Sequence, residues 1–157
     1  MKKYIITILF SLFTVVSISA QSKKNAQVAK LYQNYIQIKS ALSSDNADKA
    51  SRAALEFIKT ASTIDYKVVS EGNLNILKKD ATTISDSRII NTQRETFSNL
   101  SDNMIALAKE YIISDKPVYI QYCPMADGNW LSNESHIVNP YYGSSMLSCG
   151  SVKLIIK

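Results

Sequence analysis

Residues 28–42 read VAKLYQNYIQIKSAL and show the plainest helical pattern in the chain. Apolar side chains recur there at steps of three and four residues, namely Val28, Leu31, Tyr32, Tyr35, Ile38 and Leu42. Because an α-helix has 3.6 residues per turn, this spacing puts them all on one face. The pattern therefore predicts an amphipathic helix over about residues 24–43 that buries one side against neighbouring helices.

The same periodicity occurs three more times before the chain changes character. Residues 23–113 contain no proline and a single glycine, Gly72, so nothing breaks the helical segments except short polar turns with capping residues. The further helices are expected at about residues 46–65, 72–84 and 86–113. Four amphipathic helices with short connections predict an antiparallel four-helix bundle.

The chain from Pro117 onward has a different composition, because all three prolines and the other three glycines lie in that part. Residues 118–123 and 152–156 are rich in β-branched and aromatic side chains, which strands favour. We expect these two strands to pair beside the bundle, as a small two-stranded, loop-rich appendage over residues 117–157. The predicted class is mainly α, in a single domain over residues 21–157.

The N-terminus has the pattern of a secretory signal. Two lysines follow Met1, an apolar run covers residues 4–16, and small residues precede Gln21. The apolar run is shorter than the roughly 20 residues that span a bilayer. We therefore predict a cleavable signal peptide over residues 1–20, a periplasmic or secreted protein, and no stable membrane insertion after cleavage.

Charge and motifs argue against two large classes of function. The net charge of +5 falls to +3 when Lys2 and Lys3 leave with the signal, and no basic block remains. Nucleic-acid binding calls for clustered lysine and arginine, so no nucleic-acid partner is expected. The chain also lacks a Gly-x-Ser-x-Gly elbow, a His-Glu-x-x-His motif and a phosphate loop, and we expect no enzymatic activity.

Sulfur-bearing side chains stand at both ends of the long loop between the predicted strands. Cys123 and Met125 follow the first strand, Met146 and Cys149 precede the second, and His136 lies midway. If the strands pair, the two ends meet and bring two thiols and two thioethers together. Thiolate and thioether ligands favour Cu(I), whereas a zinc site would call for four cysteine or histidine ligands. A metal site here is therefore expected to bind Cu(I).

Two other interpretations of Cys123 and Cys149 stay open. An exported protein meets an oxidising compartment, and a structural disulfide closing this loop would add about 3–4 kcal/mol in the chain-entropy model. The domain would then be an interaction module that docks a partner through its aromatic surface. Reactive redox chemistry is the third interpretation, and the absence of a Cys-x-x-Cys motif counts against it.

Several segments resemble an uncharacterised domain family from envelope proteins of Gram-negative bacteria. They lie in the helical part, at residues 38–42 and 93–97, and more specifically in the C-terminal part, at residues 119–126, 130–132, 139–143 and 146–150. Similar domains stand alone or end the periplasmic adaptor subunits of copper and heavy-metal efflux pumps. The resemblance implies a role in copper or cation homeostasis, with components of an efflux system as partners.

The resemblance also implies a ligand set. The ligands that it suggests are Cys123, Met125, Met146 and Cys149, with His136 as a weaker candidate. Trp130 and Tyr142 are expected to shield such a site from water and oxidant, as residues around a metal's ligands commonly do.

Overall fold

The computed structural model describes residues 23–156, and the predicted signal peptide lies outside them. Four helices make up most of this part of the chain: α1 Ala26–Ser43, α2 Ala47–Ala61, α3 Glu71–Asp86 and α4 Ile90–Glu110. Short strands follow or flank them: β1 Lys23–Lys24, β2 Tyr111–Ile112, β3 Val118–Cys123, β4 Gly128–Ser132 and β5 Ser151–Ile156. The predicted class, a mainly α bundle with a small β appendage, is confirmed.

Polar caps and turns set the helix ends. Asn25 accepts hydrogen bonds from the backbone N–H groups of Gln27 and Val28 and so caps α1. Helix α2 ends at Ala61, earlier than the predicted residue 65, because residues 62–69 form turns whose apolar members Ile64 and Val69 are buried without helical geometry. Apolar side chains in a packed turn extend a helical pattern beyond the helix itself.

The start of α4 is fixed by a buried glutamine. Helix α4 begins at Ile90, later than the predicted residue 86, and Gln93 in its first turn is buried. The Gln93 side-chain amide donates to the carbonyl oxygens of Ile84 at 3.1 Å and Ser87 at 2.8 Å. These carbonyls belong to the end of α3 and the turn after it, so the amide holds the connection between the two helices.

Aromatic rings join the bundle to the appendage. Tyr35 of α1 stacks on Phe97 of α4 with 5.2 Å between ring centroids. Phe97 in turn contacts Tyr141, and Tyr141 meets Trp130 of β4 edge-on at 5.9 Å. Trp130 is fully buried. The core is therefore continuous from the first helix to the sheet.

The appendage contains a three-stranded antiparallel sheet in the order β4-β3-β5. The expected pairing of the segments at 118–123 and 152–156 is confirmed, but the expectation of only two strands is corrected, because Gly128–Ser132 adds a third. A tight turn with Asp127 at a positive φ of 45° returns the chain from β3 into β4. Trp130 and Leu131 then pack β4 against the core.

Two further observations complete the architecture. Strand β1 pairs in parallel with β2, which ties the start of the described chain to the end of α4. No helix within residues 23–156 is long and apolar enough to cross a membrane.

Candidate dithiol site

The two cysteines lie side by side where β3 ends and β5 is about to begin. Cys123 is the last residue of β3, and Cys149 precedes β5 by one residue, Gly150. Their sulfur atoms are 3.2 Å apart and both are thiols. A disulfide would place the sulfurs about 2.05 Å apart. The strand ends therefore meet as the sequence predicted, and they form a dithiol in this structure.

Backbone geometry around Gly150 sets the distance between the thiols. Gly150 adopts a φ of +142°, which side chains rarely tolerate, and a Cβ there would lie 2.8 Å from the carbonyl oxygen of Tyr122. In the sheet Tyr122 is the register partner of Ser151. A residue with a side chain at position 150 would push Cys149 away from β3, so glycine permits the close approach.

Asn139, which is fully buried, also holds Cys149 in position. Its Nδ2 donates to the carbonyl oxygen of Cys149 at 2.9 Å, and its backbone N–H donates to that of Leu147 at 2.8 Å. The side-chain amide also acts to lower the pKa of Cys123. One residue thus positions Cys149 and affects the acidity of Cys123.

The two thiols differ in acidity. Burial acts to raise the pKa of Cys123, but hydrogen bonds from the Cys149 thiol, the Ala126 and Met125 backbone N–H groups and the Asn139 side chain hold it below its ordinary value. The pKa of Cys149 is raised, chiefly by its hydrogen bond to Cys123. The acidity of each thiol therefore depends on the other.

The thioethers lie on the turns that carry the cysteines. The Met125 residue is 63% exposed, and its carbonyl oxygen accepts a hydrogen bond from the Tyr142 hydroxyl at 3.0 Å. Met146 is half-buried, and its carbonyl oxygen accepts the backbone N–H of Cys149 at 3.0 Å. Each methionine is thus close in the chain to one cysteine and is tied to the site through its backbone.

His136 stands in a different environment. Its side chain is exposed, and its Nε2 lies 3.1 Å from a Glu134 carboxylate oxygen. Its backbone carbonyl is one of three in residues 134–136 that accept hydrogen bonds from the Gln121 side chain, which pins this stretch to β3. Within residues 23–156 no group of three or more His, Cys, Asp or Glu side chains is placed to share a metal ion, so His136 does not join the cysteine pair in such a group.

Trp130 and Tyr142 each contact a residue that is close in the chain to one of the cysteines. The Cη2 atom of Trp130 lies 3.0 Å from the point where a Gly150 Cβ would stand, so the indole packs directly beside the residue after Cys149. The Tyr142 hydroxyl donates to the Met125 carbonyl oxygen. That the two side chains shield a metal site stays a prediction.

Reasoning from the sequence missed Asn139, Gly150 and Gln121 as determinants of the site. Asn139 precedes Pro140, a dipeptide that signals a turn but not a hydrogen bond to a distant cysteine. The amide of Gln121 reaches the loop at 134–136 only through tertiary folding, and no local pattern marks it.

The donor set suits an ion of low coordination number. Two adjacent thiolates match the preference of Cu(I) for soft ligands, whereas a structural zinc site would call for four ligands. The backbone N–H groups of Ala126 and Met125 act to lower the pKa of Cys123, which favours the thiolate that a metal ion needs.

Comparison with known proteins gives a family for the helical part. Residues 31–116 match the model described as Protein of unknown function (DUF3347), which spans more than half of the chain and runs from α1 to just before β3. No curated protein and no solved structure matches the chain. The chain belongs to the DUF3347 family of proteins of unknown function.

Proposed function

We propose that this protein is an exported, non-enzymatic domain that binds Cu(I) between the thiolates of Cys123 and Cys149. The observation that carries the proposal is the 3.2 Å separation of two unbonded sulfurs from distant parts of the chain. Soft, low-coordinate ions are the cofactors that such a pair suits best.

The electrostatics of the site support metal binding. A thiol must lose its proton before it binds a metal ion, and the lowered pKa of Cys123 reduces the cost of that step. The second proton leaves Cys149 when the ion binds, so affinity rises with pH. Met125 and Met146 are the thioethers available to complete the coordination, and the exposed side chain of Met125 is the more accessible to a partner.

The cellular role follows from the predicted signal peptide together with the metal site. An exported Cu(I)-binding domain serves to buffer copper or pass it to a metal efflux system in the periplasm. Cell fractionation with N-terminal sequencing tests the location, and we expect the mature chain to begin at Gln21.

Metal binding is tested by titrating the fully reduced protein with Cu(I) in competition with a chromophoric chelator. We expect one Cu(I) per chain, and an affinity that drops by about 100-fold, or ~2.7 kcal/mol, in the Cys123→Ser and Cys149→Ser variants. Met125→Leu and Met146→Leu are expected to have smaller effects. Met104→Leu, a substitution in the buried face of α4, is the matched control and should leave the affinity unchanged.

One result separates this function from the alternative, an interaction module with a structural disulfide. If the reduced wild-type protein binds Cu(I) no more tightly than the double variant Cys123→Ser, Cys149→Ser, copper binding at this site is wrong. Intact mass and thiol counting on protein taken directly from the periplasm then report whether the pair is held as a disulfide in the cell.

A further inference from the structure

The two sulfurs differ in what can reach them. Cys123 is fully buried, with 0% of its surface exposed, under the turn at residues 124–127 and beside Asn139. Cys149 is partly exposed. Thiol–disulfide exchange requires the attacking sulfur to approach a disulfide sulfur from outside. An external disulfide therefore has access to the surface at Cys149 and none at Cys123.

The contact between the two sulfurs complements this difference in access. The sulfurs lie 3.2 Å apart, and either one can donate the hydrogen bond between them. When Cys149 attacks, the Cys123 sulfur, 3.2 Å away, is the base positioned to accept the proton. Cys123 then loses that proton to solvent, and its thiolate is the nucleophile for the second step.

We propose that the dithiol undergoes ordered exchange with small organic disulfides, in which Cys149 attacks first and Cys123 resolves the mixed disulfide. In the first step a bond forms between the Cys149 sulfur and one sulfur of the external disulfide, whose other half leaves as a thiolate. In the second step the Cys123 thiolate attacks the Cys149 sulfur, and the second half leaves. The protein loses two protons and two electrons, and the external disulfide is reduced to two thiols.

The geometry requires little rearrangement for the second step. Closing the sulfurs from 3.2 Å to a bond of about 2.05 Å is a displacement of about 1.2 Å. The backbone on both sides is already fixed by Gly150 and by the hydrogen bond from Asn139 to the Cys149 carbonyl. Resolution should therefore be faster than the first attack, and the mixed disulfide should not accumulate in the wild-type protein.

The exchange has a consequence for metal binding, and this part rests on the proposed function. A disulfide sulfur is a far weaker ligand than a thiolate, and oxidation converts both proposed thiolate ligands at once. Cu(I) keeps its oxidation state, because the external disulfide supplies the oxidising equivalents. Exchange would release the ion, and reduction would restore the site.

The test uses the metal-free, reduced protein with oxidised glutathione, an acid quench, alkylation of the remaining thiols and intact mass. We expect wild type to end as a species lighter by two hydrogens, Cys123→Ser to accumulate a glutathione adduct at Cys149, and Cys149→Ser to react at least about tenfold more slowly than Cys123→Ser. In denaturant this tenfold difference should disappear, because burial of Cys123 is lost.

The order is overturned if Cys149→Ser reacts in native buffer as fast as Cys123→Ser, and resolution by Cys123 is overturned if wild type accumulates the glutathione adduct. A measurement on wild type alone covers the case of a variant that fails to fold. Limited alkylation with iodoacetamide, followed by peptide mapping, should modify Cys149 before Cys123, and the reverse order would also overturn the proposal.

The proposals of Cu(I) binding and of ordered exchange can be refuted separately. Ordered exchange without Cu(I) binding refutes only the copper function and the release that rests on it. Cu(I) binding with exchange that shows no preference between the cysteines refutes only the order. Protein loaded with Cu(I) should lose the ion to a chelator faster after oxidised glutathione is added, and retention of the ion in the oxidised protein would refute release.

Discussion

The acidity of the thiol pair depends on single residues that lie far from the cysteines in sequence. The Asn139 side chain acts to lower the pKa of Cys123. Its Nδ2 donates to the Cys149 carbonyl oxygen at 2.9 Å, and its Oδ1 accepts the backbone N–H of Tyr141 at 2.8 Å. The side chain is buried, so water cannot replace these bonds. Asn139 therefore contributes both to the stability of the loop and to the ionisation of Cys123.

Replacing Asn139 by alanine should affect both properties. We expect Asn139→Ala to lower the free energy of unfolding by about 1–3 kcal/mol, because buried polar groups lose their partners. The pKa of Cys123 should rise, because one of the hydrogen bonds that lower it is removed. Urea unfolding measures the first effect, and the ultraviolet absorbance of the thiolate against pH measures the second.

The control for this substitution is Asn91→Ala, at an exposed position near the start of α4. It should change stability by less than about 0.5 kcal/mol and leave the titration of the thiols unchanged. A thiol titration that is identical in wild type and Asn139→Ala would contradict the assigned role of the amide.

At this scale the sequence predicts which residues form the site but not how they are held. Cys123 and Cys149 follow from the pairing of two recognisable strands, and the methionines follow from their closeness to the cysteines in the chain. The pairing of His136 with Glu134 and the reach of Asn139 depend on the path of the loop over residues 133–149. That path is set by tertiary contacts such as those of the Gln121 amide, which leave no periodic signal.

At the scale of secondary-structure elements, the junction between the last turn and β5 is constrained by the backbone at Gly150. Gly150 is needed there because its φ is +142° and because the Tyr122 carbonyl stands where a Cβ would be. We expect Gly150→Ala to lower the free energy of unfolding by about 1–3 kcal/mol. It should also slow formation of the Cys123–Cys149 disulfide, since Cys149 moves away from β3.

Gly72 offers a matched control for this change. It lies in the first turn of α3, and an added Cβ would meet no atom within 4 Å. Gly72→Ala should stabilise the protein by about 0.5–1 kcal/mol and leave disulfide formation unaffected. If both glycine variants oxidise at the wild-type rate, Gly150 does not control the approach of the sulfurs.

A second junction joins the turn after α1 to the loop before β5. The Asp45 carboxylate accepts hydrogen bonds from the backbone N–H of Ser144 at 3.0 Å and from Arg94 Nη2 at 2.5 Å. Hydrogen bonds from Ser144, followed by that from Arg94, lower the pKa of Asp45 from 3.8 to about 2. A carboxyl whose pKa is lowered by folding stabilises the folded state above its unfolded pKa, and this contribution is lost as the pH falls through the folded value.

The contribution of Asp45 should therefore be complete above pH 3.8 and disappear towards pH 2. We expect Asp45→Asn to be less stable than wild type at neutral pH, with the difference shrinking through this window. Asparagine is chosen because it tolerates the positive φ of 55° at this position, so the substitution removes the charge without straining the backbone. Chemical unfolding at a series of pH values measures the difference, and a gap independent of pH would contradict the assignment.

Secondary structure was predictable where the spacing of apolar side chains repeats regularly over several turns. The apolar faces of α1 and α4 repeat in this way, and they led to the prediction of a helical bundle. Strand β4 is five residues long and contains glycine and asparagine beside Trp130, so its pattern is too short to distinguish from a loop. Residues 62–65 show the opposite error, because Ile64 is buried in a turn and was predicted to lie in the second helix.

For the whole molecule, the family assignment and the candidate site cover different parts of the chain. The match to the family of unknown function ends at residue 116, and both cysteines lie beyond it. The bundle is thus the shared part, and the dithiol belongs to the appendage. Whether the site influences the rest of the molecule depends on how firmly the two parts are joined.

The structure joins them through Tyr35. This buried side chain of α1 accepts the backbone N–H of Leu131 in β4 at 3.1 Å, and its hydroxyl lies 2.8 Å from Ser101 Oγ of α4. Helices and sheet share one core, so we expect the far-ultraviolet signal of the helices and the fluorescence of Trp130 to change together in a single unfolding transition.

Tyr35→Phe leaves the Leu131 N–H without this acceptor and should lower the free energy of unfolding by about 1–3 kcal/mol. Tyr66→Phe, at an exposed position, should leave it almost unchanged.

Since the transition is shared, Cu(I) bound at Cys123 and Cys149 should raise the unfolding midpoint of the helices as much as that of the sheet. Loss of the tryptophan signal at a lower denaturant concentration than the helical signal would mean that the appendage unfolds by itself.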